Sequence, residues 1–98
     1  MNISITARKF KAHDSLKNHI HSEIDSLKRF NDEILNAEVI LSYQSSRENI
    51  KTAEVILHVP GQTLTAVEES EDFKKSTTGA VEKIIRQLEK IKAKKIPY

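Results

Sequence analysis

The stretch AEVILSYQSSRENIKTAEVILHVPGQTLTAVEE, residues 37–69, decides the fold. It opens with a β-branched, apolar run that places Val39, Leu41 and Tyr43 on one side of an extended chain. SSREN, at 45–49, is polar and reads as a turn. IKTAEVILHV then puts Ala53, Val55, Leu57 and Val59 on one face and mainly charged or polar residues on the other. Pro60-Gly61 is a second turn signal, and QTLTAVEE supplies a third, shorter strand. Three strands joined by short turns predict an antiparallel meander.

The flanks carry different periods. Residues 2–7 alternate Ile3, Ile5 and Ala7 with Asn2, Ser4 and Thr6, which predicts a strand with one buried face. From about Asp14 to Phe30 the apolar positions Leu16, Ile20, Ile24 and Leu27 form a helical stripe. Asp14 or His13 is its expected start and Asn31-Asp32 its expected stop. A last helix is predicted over about Glu71 to Lys94, with Phe73, Ala80, Val81, Ile84, Leu88 and Ile91 inward and Ser70 as N-cap. Acids at its start (Glu68, Glu69, Glu71, Asp72) and lysines at its finish suit the helix dipole. The order β-α-β-β-β-α predicts an α+β fold, a four-stranded sheet with two helices packed on one face around a shared core. The other sheet face is expected to meet water through Glu38, Gln44, Lys51, Glu54 and His58.

Composition limits the function. At 98 residues, 38% hydrophobic and 31% charged, the chain has the size and surface of one small domain. It has no cysteine, so disulfides, thiolate nucleophiles and cysteine-ligated metals are excluded. No apolar run approaches the ~20 residues of a membrane span, and no signal pattern opens the chain. The expectation is a soluble, cytoplasmic protein without a membrane partner.

Charge is unevenly distributed. Residues 73–98 hold eight basic and two acidic residues, +6, whereas residues 1–72 hold eight against twelve, −4. A net charge of only +2 hides a cationic C-terminal quarter, which points to a polyanion. At ~100° per residue, Lys83, Arg86, Gln87, Lys90 and Lys94 share an arc of ~100°, centred away from Ile84, Leu88 and Ile91. That stripe is roughly 16 Å long, enough for two or three backbone phosphates. Lys92 and Lys95 lie nearer the core edge and can extend outward. Were all six cations to meet phosphates, binding would weaken roughly a thousandfold between about 50 and 200 mM salt.

No catalytic constellation emerges. His13, His19 and His21 lack an i, i+4 histidine partner and read, with His58, as surface histidines. Glycine occurs only at 61 and 79, so no phosphate-cradling loop exists, and no serine sits in a nucleophile-elbow setting. Tyr43 reads as a packing or half-exposed sheet residue ahead of a base-stacking platform. Neither an enzyme nor a metal or cofactor site is expected.

DFKKSTTGAVEKIIRQLEKIKAK, residues 72–94, resembles the second helix of the ribosome hibernation promoting factors, also called ribosome-associated inhibitor or S30AE proteins. Asp72 and the run Lys83-Ile84-Ile85-Arg86-Gln87-Leu88-Glu89-Lys90-Ile91-Lys92 carry the match. LKRFNDEI, AEVILS and AEVILHVPG agree as well, so the likeness covers nearly the whole chain. The chain departs from the family at Lys74, where relatives carry tyrosine, and at Ser76, Thr77 and Thr78, where they carry Ala-Ile-Asp-like residues.

The resemblance implies a β-α-β-β-β-α fold similar to double-stranded-RNA-binding domains, and a short form with a single ribosome-binding domain over 1–98. It implies binding to the small ribosomal subunit, in the channel used by messenger RNA and the anticodon ends of transfer RNA. Initiation is then blocked, and idle ribosomes are preserved in starvation or stationary phase. By position, Lys83, Arg86, Lys90, Lys92 and Lys94 would contact ribosomal RNA, with Gln87 as a hydrogen-bonding neighbour. Two outcomes stay open: ribosome dimers, together with a separate ribosome modulation factor, or ribosomes held as monomers. Rival readings are a protein–protein modulator of an alternative sigma factor and a general double-stranded-RNA binder.

Overall fold

The computed structural model describes residues 1–44 and 46–94, apart from the side chains of Arg47, Glu48, Ala93 and Lys94. Its elements are β1 (Asn2–Ala7), α1 (Asp14–Asp25), a 3₁₀ turn (Ser26–Arg29), β2 (Asn36–Gln44), β3 (Arg47–Val59), β4 (Gln62–Ser70) and α2 (Phe73–Lys94). The expected β-α-β-β-β-α order is present. The four strands lie in the order β1-β2-β3-β4, so β1 and β4 are the edges. β1 runs parallel to β2, from Asn2 opposite Asn36 to Ala7 opposite Leu41, a pairing that needs the crossover α1 supplies. The remaining pairs are antiparallel. Pro60 and Gly61 form the β3–β4 turn, where Gly61 takes φ 84°, a conformation that excludes most side chains.

One core joins sheet and helices. Val39 and Leu41 from β2, Val55 and Leu57 from β3, Ile20 and Ile24 from α1, and Ile84 and Leu88 from α2 are all buried in it. Two polar residues lie among them. Thr77 donates to Phe73 O at 2.8 Å and Ser76 to Lys51 O at 2.7 Å, so neither hydroxyl is orphaned.

Four local expectations need correction. The first helix stops being α-helical at Asp25 and tightens into a 3₁₀ turn, where Ser26 Oγ donates back to Glu23 O at 2.6 Å. Asn31 still ends the segment by accepting the Glu33 N–H at 2.7 Å. The cap of α2 is Asp72, whose Oδ1 accepts the Lys74 N–H at 3.2 Å. Ser70 is still paired in β4 opposite Lys51, so its chain is extended two residues too early to cap. Lys51 is not on the open sheet face, because strand parity places it with Ala53 and Val55 on the helix side. There its ammonium donates to Glu71 O at 3.0 Å. Finally, only His13 and His21 are exposed histidines; His19 and His58 are half-buried and partnered.

On the open face, His58 Nε2 lies 2.8 Å from Glu38 Oε2, and Ile40, Ile56 and Val67 supply apolar surface between polar neighbours. His19 joins the two helices. The Thr78 hydroxyl donates to Glu23, so His19 Nε2, 3.2 Å from the same hydroxyl, acts as donor.

Candidate nucleic-acid interface

α2 has three longitudinal zones. Ala80, Val81, Ile84 and Leu88 face the core, with Ile91 half-buried at the end of that stripe. The second zone runs along the edge strand β4. Lys83 Nζ donates to Val67 O at 2.7 Å, and Gln87 Nε2 donates to Thr65 O at 3.0 Å. The spacings explain the fit: four helical residues rise ~6 Å, and two strand residues advance ~6.7 Å. An i, i+4 pair of donors therefore matches alternate carbonyls along β4. Glu68 completes the row, with Oε1 3.5 Å from Lys83 Nζ and its side chain lying over Gly79. A Cβ on Gly79 would sit 2.7 Å from Glu68 Cγ, so the absence of a side chain there makes room for this carboxylate.

The third zone faces outward. Arg86 and Lys90 are exposed on it, and among the described residues neither has an ion-pair partner. Glu82 and Glu89 share this exposed side and, among the described residues, reach no cation within ion-pair distance. Lys92 is exposed on the opposite flank, beside the 3₁₀ turn. There Lys28, Arg29 and Lys92 line a shallow groove together with Asn31, Asp32, Glu33 and the apolar Phe30, Leu88 and Ile91. Lys28 is paired with Asp25 at 3.0 Å, whereas Arg29 is exposed without such a partner among the described residues.

The six positions named from sequence thus separate. Arg86, Lys90 and Lys92 present their charge to solvent. Lys83 and Gln87 are held on β4. Lys94 ends α2, and its side chain lies outside the described residues, as does Lys95. Arg29 is a cation that helix periodicity did not single out, although it stands in the LKRFNDEI segment. Tyr43, 39% exposed, packs edge-on against Phe10 and Phe73. Among the described residues no three metal-ligating side chains converge, and no helix is long and apolar enough to cross a membrane.

An α+β domain whose last helix is fastened to the sheet edge and turns Arg86, Lys90 and Lys92 to solvent presents a cationic surface of the kind that suits a polyanion. The chain belongs to the family described as Sigma 54 modulation protein / S30EA ribosomal protein, which it matches over residues 3–96. It is 30% identical over 96 residues to a ribosome hibernation promoting factor of Azotobacter vinelandii, covering 98% of this chain and 87% of that protein. Among solved structures it is similar to a ribosomal subunit interface protein from Coxiella burnetii. That likeness has a TM-score of 0.86 and 26% identity, covering 95% of this chain and 99% of the other. The N-terminal domain of Thermus thermophilus Protein Y matches with a TM-score of 0.81 and 25% identity, over 93% and 99% of the two chains. None of these descriptions denotes an enzyme.

Proposed function

We propose that this protein is a cytoplasmic ribosome hibernation factor that binds the small ribosomal subunit through α2 and silences translation by occupancy, without catalysis. One observation carries the reading to particular residues: Arg86, Lys90 and Lys92 are exposed and have no ion-pair partner among the described residues, on a helix fixed by its core and β4 contacts. Contacts from such cations to phosphates set affinity and orientation without reading sequence, so selectivity comes from the folded shape of ribosomal RNA. Occupying the channel of messenger RNA and the transfer-RNA anticodon ends would exclude both, as two ligands cannot share one site. The ligand also stabilises the subunit state it binds by RT ln(1 + [L]/Kd).

The test is pelleting with purified small subunits at low and high salt, with and without initiator transfer RNA. Binding that weakens with salt and is displaced by the transfer RNA supports the proposal. Co-sedimentation unaffected by the competitor removes the channel as the site. Equal affinity for naked duplex RNA favours a general RNA binder, and a salt-insensitive complex with a sigma factor favours the sigma-modulator reading.

A further inference from the structure

A second group of cations gathers at the other end of α2. The residue after β1 keeps the strand's pairing, since Arg8 N–H donates to Leu41 O at 2.9 Å. Lys9 then takes φ 65°, a left-handed conformation uncommon for a side-chain-bearing residue, and the chain turns. Phe10 packs inward beside Phe73, the first residue of α2, with ring centroids 4.9 Å apart and planes 13° from parallel. It also meets Tyr43 edge-on at 5.2 Å. Arg8, Lys9 and Lys11 are left exposed around this aromatic anchor, and Lys74, exposed, follows Phe73 on the helix.

Two of the acids at this end are engaged. Glu71 pairs with Lys75 at 3.7 Å and its carbonyl accepts from Lys51, while Asp72 caps α2. Asp14, in the first turn of α1, lines a shallow hollow with Lys11, and Glu82 lines one with Lys74, but among the described residues neither acid comes within ion-pair distance of a cation. Among the described residues Arg8, Lys9, Lys11 and Lys74 have no ion-pair partner. The loop is therefore a cationic surface on an aromatic foundation fixed to the same helix that carries Arg86 and Lys90.

We infer that Arg8, Lys9, Lys11 and Lys74 form a second contact surface for an RNA phosphate backbone. It engages the same polyanion as the C-terminal part of α2 but at separate phosphates. Lys74 and Lys90 are 16 residues apart on one helix, ~24 Å along its axis, too far to share a phosphate. The two surfaces then contribute independently to counterion release. This rests on the ribosome-binding reading for the identity of the RNA, though not for the chemistry of the surface.

The test compares the full chain with the variant R8Q/K9Q/K11Q, leaving Phe10 in place, by small-subunit pelleting across a salt series. At ~0.7–0.9 of log–log slope per phosphate contact, removing three contacts lowers the slope by about 2 to 2.7. The affinity lost between about 50 and 200 mM salt then shrinks by roughly twentyfold to fortyfold. Superimposable lines for the two proteins overturn the inference. Should the triple variant misfold, K11Q and K74Q singly are each expected to lower the slope by about 0.7–0.9, and no change in either has the same overturning force. If the wild-type protein does not pellet with small subunits at all, the ribosome-binding reading falls. The same variants on a naked RNA duplex then decide the inference: a shallower slope sustains it and an unchanged one ends it.

Discussion

Lys83 and Arg86 stand three residues apart, carry the same charge and are assigned different work by their surroundings. Lys83 donates to an edge-strand carbonyl beside Glu68, whereas Arg86 points to solvent. Lys83→Met keeps the aliphatic stem and removes the donor. It is expected to lower unfolding free energy by about 1 kcal/mol or less, because the pair is partly exposed and screened by water. Urea denaturation measures that loss, and the salt slope of small-subunit binding is expected to stay at the wild-type value. Arg86→Gln is expected to do the reverse, with stability within about 0.5 kcal/mol of wild type and a slope lower by about 0.7–0.9. Helical periodicity sorts positions by angle and so marks both residues as off the core. What stands across from each is a long-range fact. The carbonyls of Thr65 and Val67 enter only when β4 is laid beside α2, and no local pattern announces them.

α2 is the element on which stability depends and through which the proposed binding would act. Ile84 is fully buried between it and the sheet, so Ile84→Ala is expected to cost about 2–4 kcal/mol, read as a lower urea midpoint. Ser76 ties the start of α2 to β3 by donating to Lys51 O, with the Ser70 hydroxyl 2.7 Å from Ser76 Oγ. Ser76→Ala leaves that carbonyl short of a partner, at an expected cost of about 1–3 kcal/mol, read as a lower denaturation midpoint. Strands and helices were legible from the chain because alternation in AEVILHV and the Ile84, Leu88, Ile91 stripe record which side is buried. Three local features were less legible. Ser70 offers a capping side chain, but β4 pairing holds it extended and Asp72 takes the role. Lys51 is polar, yet pleat parity puts it with Ala53. The 3₁₀ ending of the first helix follows from a serine hydroxyl bonding its own backbone, which a hydrophobic pattern does not encode.

For the whole molecule, uneven charge is the property that connects fold to partner. A chain with 16 basic and 14 acidic residues keeps several acids engaged as caps, helix-end partners or pairs, and shows cations on α2. The run KIIRQLEKIK marks the region, and the packing of α2 separates Lys83 and Gln87, held on β4, from Arg86, Lys90 and Lys92, exposed to solvent. In the proposed function Arg86 and Lys90 meet ribosomal RNA phosphates. The most direct measurement is the dependence of small-subunit affinity on salt for wild type and R86Q/K90Q, with circular dichroism verifying that both are folded. The log–log slope is expected to be lower by about 1.4–1.8 in the variant, together with weaker binding at low salt. Identical slopes and affinities in two folded proteins would contradict it.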